Sequence, residues 1–140
     1  ASKKELFEND FAVFKAFGDA EIAMSAHVLF EAIDPHTAAS TSKKIMDIIR
    51  NDIKFSGLLI SDDISMSALP GDIKRRTANL IEAGNDVIVH CNGNLMEMSE
   101  IVNSGVVPNT LTLSRMASVI EERKKIEHNK FQNLESSRSS

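Results

Sequence analysis

Two adjacent carboxylates, Asp62 and Asp63, follow a short apolar run, Gly57-Leu58-Leu59-Ile60, with only Ser61 between. A carboxylate can attack an electrophilic carbon, exchange a proton, accept a phosphoryl group or hold a cation, so chemistry is sought at this pair. The run before it is apolar on both faces and bounded by polar residues, the pattern of a buried parallel strand. In parallel α/β folds the loops beyond the carboxyl ends of the strands build the ligand site. Asp62 and Asp63 stand at such an end. The bland alternative is a pair of loop acids capping the segment that follows.

Other candidates are sparser. His27 ends a second strand-like stretch and either faces the same site or is a buried, hydrogen-bonded histidine. Met66 is read as lining the pocket or as a filler of gaps. His36 and His90 read as loop and core residues. Cys91 has no His or Asn partner at recognisable spacing and reads as a strand-end thiol. No grouping of His, Cys and carboxylates has metal-ligand spacing, so neither a metal nor a cofactor is expected.

The elements that must position these residues are legible from periodicity. Ser2 and Glu5 have capping-box spacing, and Leu6, Phe7, Phe11, Val13 and Phe14 give a helical stripe that stops at Gly18. Residues 21–28 alternate small and larger side chains, as in a strand lining a crowded barrel interior. Ser40 to Ser42 offer caps for a helix carrying Ile45, Ile48 and Ile49. Beyond the carboxylates, Pro70-Gly71 marks a turn, and a helix from Asp72 carries Ile73, Thr77, Leu80 and Ile81 as far as Gly84. A third strand spans 86–91. Helices are expected at 95–102 and at 113 to about 126, the latter capped by Thr112. The expected domain is 1–128, with a polar, disordered tail at 129–140.

Composition bounds the partners. The chain has 140 residues, 42% hydrophobic and 26% charged, which suits one globular domain. Its net charge of −4, with Lys and Arg scattered, argues against nucleic acid. The apolar runs are too short to span a membrane, and Ala1-Ser2-Lys3-Lys4 does not lead into an apolar signal core. A single cysteine excludes an internal disulfide framework and fits a reducing cytoplasm. The first residue is not Met, which fits processing or an internal fragment.

Three βα units make a parallel sheet with crossover helices, its strands adjacent in chain order. Three strands cannot close into a barrel. As an open sheet they leave two unpaired edges and an uncovered inner face, expected to carry Ala23, Ser25, Leu59 and Val89. The chain is therefore either a small open α/β sandwich or the end of something larger.

A resemblance favours the second. Ile48-Ile49-Arg50-Asn51-Asp52, followed by Gly57-Leu58-Leu59-Ile60-Ser61-Asp62-Asp63-Ile64-Ser65, resembles the active-site signature of family-3 glycoside hydrolases. Met24-Ser25-Ala26-His27-Val28, the Asp34-Pro35 loop, Thr41-Ser42 and Ala83-Gly84-Asn85-Asp86 are similar to the bacterial β-N-acetylglucosaminidases of peptidoglycan recycling. The likeness runs from about Leu6 to Ile126. An Asp after Ser-Asp, in the form Asp-Ile-x-Met, resembles this branch and not the β-glucosidases, which usually carry Trp there.

The resemblance implies a (β/α)8 TIM-type barrel of which this chain is the C-terminal portion, about three βα units. It implies retaining hydrolysis of a terminal β-linked N-acetylglucosamine, with Asp62 as the nucleophile. Asp62 would have to be ionised, and backbone donors at a strand tip favour that form. Asp63 would orient Asp62, bind a hydroxyl or cap the following helix, a structural role being favoured. The acid/base of this branch is a His following a Lys-His-Phe-Pro-Gly-His-Gly motif, which has no counterpart here and would lie upstream with most sugar contacts. The partners implied are a carbohydrate and the remaining N-terminal barrel segment, without which the chain is expected to be inactive. A second reading remains open: a non-catalytic binding or receiver-like module with an acidic Asp62/Asp63 site. A receiver needs a further acid at a later strand end and a Lys near the last strand, whereas Val89 is followed by His90-Cys91-Asn92.

Overall fold

The first helix begins with the reciprocal cap its spacing predicts. The Glu5 amide donates to the Ser2 hydroxyl at 3.3 Å, and the Ser2 amide to the Glu5 carboxylate at 2.7 Å. In this computed structural model, which describes residues 1–138 with side chains through Glu127, that helix has three parts. An α-helical turn (Lys3–Glu5), a π-helical turn (Leu6–Asp10) and a second α-helical stretch (Phe11–Lys15) together form α1. The π turn brings Leu6 and Phe11 to the same buried side.

The sheet has strands β1 (Ile22–Ser25), β2 (Leu58–Asp63) and β3 (Val87–Val89), all parallel and in the order β1-β2-β3. The connection from β1 to β2 carries α2, an α-helical stretch (Lys43–Asp47) continued by a π-helical one (Ile48–Asp52). Helix α3 (Ile73–Ala83) joins β2 to β3. It is capped by Asp72 and stops at Gly84, whose φ of 124° only glycine adopts readily. Helix α4 (Leu95–Val102) follows, capped by Asn94. The three expected parallel strands are thus present, as a portion of a TIM-type barrel requires.

Strand boundaries and facing differ from expectation. Strand β1 stops at Ser25, so His27 lies in the loop beyond it, while β2 runs through both carboxylates. Leu59 packs with Ile45, Met46, Ile48 and Ala83, and Ala23 packs against the same cluster. Ala23, Ser25 and Leu59 therefore face the helices, while Ile22 and Met24 lie on the open side, 46% and 57% exposed. Of the four residues expected on the inner face, only Val89 stays there by alternation, because its neighbour Ile88 packs on the helix side against the Ile64, Leu69 and Leu80 cluster. A barrel strand is apolar on both faces, so composition carries no parity signal, and a one-residue error inverts the assignment.

The described residues fall into two units, Ala1–Pro108 and the segment from Asn109 onward. The second is helix α5 (Thr110–Arg138). Its cap is Asn109, whose side chain accepts from the Thr112 amide at 2.9 Å, so the helix starts before the expected Thr112. No Gly or Pro follows Pro108, and the helix passes position 128 without the break expected there. Of the expected tail, positions 139 and 140 lie outside the described residues. No helix among the described residues is long and apolar enough to cross a membrane.

Candidate active site

Strand β2 is pinned at its amino end. Gly57 admits no side chain, since a Cβ would stand 2.5 Å from the carbonyl oxygens of Ala20 and Glu21. Arg50 reaches from α2 to donate to the carbonyls of Phe55 (3.1 Å) and Gly57 (2.8 Å) and to the Asp86 carboxylate (2.8 Å). Asp86 also accepts from the Leu59 amide at 2.9 Å, tying β2 to β3. The conspicuous basic residue of the Ile48-to-Ser65 pattern is thus a brace at the end of the sheet away from the carboxylates.

The carboxyl end is built differently. Between β2 and β3 the register shifts: Ile60 pairs with Val87 and Asp63 with Val89, leaving one extra residue in β2. Such a bulge costs a ladder bond and turns side chains away from strict alternation. Ser61 repairs it. Its hydroxyl, fully buried, accepts from the Val89 amide at 3.1 Å and donates to the Asp62 carbonyl at 2.8 Å.

The two carboxylates then have opposite fates. Asp63 accepts from the Ser65 hydroxyl (2.6 Å), the Ser65 amide (3.0 Å) and the Cys91 amide (3.1 Å). Burial pushes its carboxyl up, but these donors and the nearby His90 outweigh burial and hold it below the usual carboxylate range. Asp62 is half-buried, and its one donor among the described residues is the Asp63 amide, at 2.8 Å to Oδ1. Asp63 is consumed in holding the turn; Asp62 keeps acceptor capacity for something else.

His27 is not a free ligand. Its Nδ1 lies 2.6 Å from the Ser40 hydroxyl and its Nε2 3.0 Å from the Asp63 carbonyl. Met66, 42% exposed, lies in the loop after Asp62, which Arg76 of α3 holds through the carbonyls of Ile64 (3.0 Å) and Met66 (3.1 Å). His90 is paired with Glu97 at 2.8 Å; that contact and the Asn92 amide hold the Glu97 carboxyl below its usual range. His36 and Cys91 are exposed. The partners of Ser40, Ser65 and Arg76 were not legible in the sequence, because Ser and Arg in loops and helix starts carry no signature of what they will meet.

A groove of about 810 Å³ runs between the loop after β1 and α3, lined by His27, His36, Lys43, Arg76 and Glu82, and does not include Asp62. A second cleft, about 440 Å³, lies along the unpaired edge of β1 and is lined by Phe14, Phe17, Ile22, Met24 and Phe30.

Comparison with known proteins matches residues 1–121 to the glycosyl hydrolase family 3 N-terminal domain. A beta-hexosaminidase from Nitrosomonas eutropha is 35% identical over 92 residues, 63% of this chain and 26% of that protein. One from Stenotrophomonas maltophilia is 33% identical over 113 residues, 78% of this chain and 34% of that protein. The chain thus spans about a quarter to a third of the length of these relatives. Among solved structures, native NagZ from Neisseria gonorrhoeae superposes with a TM-score of 0.70 at 29% identity, over 82% of this chain and 33% of that one. A family 3 beta-N-acetylglucosaminidase from Paenibacillus gives 0.76 at 20% identity, over 89% and 26% respectively, which speaks for the fold alone. A family match running through all three strands, over a sheet that ends in a bulged Ser-Asp-Asp tip, has one consequence: the chain belongs to glycosyl hydrolase family 3, as part of its TIM-barrel-type N-terminal domain.

Proposed function

We propose that this chain carries the nucleophile of a retaining β-N-acetylhexosaminidase that removes terminal β-linked N-acetylglucosamine from peptidoglycan-derived glycosides in the cytoplasm. The observation that carries this reading is the inequality of the two carboxylates. Asp62 stands half-buried at the carboxyl end of β2 with a single donor among the described residues, beside an Asp63 that takes three. In the first step an Asp62 oxygen bonds to the anomeric carbon while the bond to the aglycone oxygen breaks, that oxygen taking a proton from a general acid. In the second, water attacks the same carbon, gives its proton to the same group, and Asp62 departs as carboxylate. Two inversions give retention.

Met66 is assigned to the pocket wall. His27 has both ring nitrogens engaged within the protein, so any contact it makes with the sugar falls to its carbon edge. The proton donor belongs to a segment outside this chain. The unpaired β1 edge and its aromatic cleft fit an additional barrel strand and helix, the N-terminal barrel segment that completes the pocket. A receiver-like acidic site is disfavoured because it needs both carboxylates open, and Asp63 already accepts three hydrogen bonds that hold the turn.

The test is trapping. The full-length enzyme is treated with a fluorinated N-acetylglucosaminyl fluoride, which forms the covalent intermediate and releases it slowly, and is then digested and mapped. The expected label sits on the peptide containing Asp62 and is absent from Asp62→Asn. A label on any other residue overturns the assignment.

A further inference from the structure

The ladder between β1 and β2 ends at the pair Ser25 and Ser61, one residue short of Asp62. Beyond it β2 is bulged on the β3 side as well, so regular pairing does not hold the backbone that bears Asp62. What crosses from the β1 side is the ring of His27, joined to the Asp63 carbonyl at 3.0 Å. We propose that His27 is a positioning residue for Asp62, acting from the Ser40 anchor through residue Asp63 with its Nε2 protonated and its Nδ1 bare. This rests on the reading of Asp62 as nucleophile.

The tautomer follows from the partners. A carbonyl oxygen only accepts, so Nε2 must donate to Asp63; in the neutral ring Nδ1 then accepts the Ser40 hydroxyl at 2.6 Å. Ser40 is fully buried and is itself fixed. Its amide donates to the Ala26 carbonyl at 3.0 Å, and its carbonyl accepts from the Asn85 side chain at 2.7 Å. Asn85 in turn accepts from the Ser25 hydroxyl at 2.6 Å and donates to the Leu80 carbonyl at 2.7 Å. The anchor is therefore a buried polar network tied to β1 and α3, with its donors and acceptors matched.

At the other end, Asp63 is gripped on three sides. Its carbonyl takes the His27 proton and the Met66 amide at 3.1 Å, and its carboxylate takes Ser65 and Cys91. With carbonyl and side chain fixed, its one remaining polar group, the amide, is aimed at Asp62 Oδ1. Removing the His27 grip leaves the carbonyl to the Met66 amide alone and so loosens the residue whose amide holds the nucleophile. A displacement on the order of 1 Å at a reacting atom costs about 100-fold in rate.

The experiment compares His27→Phe, which keeps a ring but has no donor, with His27→Gln, whose amide can reach where Nε2 stands, both in the full-length enzyme. His27→Phe is expected to slow formation of the trapped intermediate about 100-fold with little change in KM, and His27→Gln to recover most of that loss. Ser40→Ala, which spares the ring but removes the anchor, should fall between them. Unaltered wild-type chain gives a readout that no folding defect can disturb: the proton–nitrogen correlation spectrum of the His27 ring should report the Nε2-protonated tautomer. An unchanged trapping rate in His27→Phe, a raised KM with unchanged kcat, or the opposite tautomer overturns the proposal. The wild-type label separates the two readings. If it maps to Asp62 while His27→Phe traps normally, only the positioning role fails; if it maps elsewhere, both fail.

Discussion

The two ends of the same three strands are built to different rules. At the amino end, Arg50 meets two carbonyls and Asp86, Asp86 meets Arg50 and Leu59, and Gly57 closes against backbone with no room for a methyl. At the carboxyl end the register slips, side chains replace ladder bonds at Val89 and Cys91, and one carboxylate is left with a single donor among the described residues. Saturated polar groups rigidify, whereas unspent acceptor capacity is what a reaction needs. A barrel segment can carry both only if they are kept apart, and here the length of β2 separates them.

The largest expected effect comes from Asp62→Asn in the full-length enzyme. Turnover of an aryl β-N-acetylglucosaminide should fall by several orders of magnitude, more than about 4 kcal/mol of transition-state stabilisation, while binding of a ground-state inhibitor and the melting temperature hardly move. Equal losses in binding and turnover would mean that Asp62 holds substrate without attacking it.

At the opposite end the balance should reverse. Arg50→Met leaves Asp86 charged and nearly buried, a loss of about 3–5 kcal/mol in urea-unfolding stability. Trapping by the fluorinated sugar should proceed at the normal rate in whatever fraction remains folded. A large kinetic defect in the folded fraction would mean that the brace reaches Asp62 and that the two ends are not independent. Gly57→Ala acts at the same end by overpacking against backbone that cannot retreat, and about 1–3 kcal/mol is expected by the same measurement.

The subtlest effect is at Asp63. Its folded-state carboxyl titrates below the usual range, so its contribution to stability is complete above a pH of about 4 and fades as pH falls through the folded value. Asp63→Asn should therefore lower the melting temperature at neutral pH by less than Arg50→Met does, and the gap from wild type should narrow in acid. A gap that widens in acid would assign the low carboxyl to another residue.

Much of this molecule was legible before folding. Caps at Ser2, Ser42 and Asp72, the stop at Gly84 and the three apolar runs are local signals, and the helices and strands formed where those signals stood. The strand tip at Asp62 was equally plain, because an apolar run turning abruptly acidic needs no tertiary information to be noticed. What the amino-acid order left undetermined was relational. Leu59 is apolar whichever face it takes, so only the packing of α2 against the sheet decided that it meets Ile45 and Ile48. Asp62 and Asp63 are the same residue type one position apart, and only a slip against β3, with Ser65 and Cys91 at hand, made one structural and left the other open. His27 could have met substrate or backbone. Its partners lie 13 and 36 residues away, and bonds over such separations exist only once the sheet has brought the loops together.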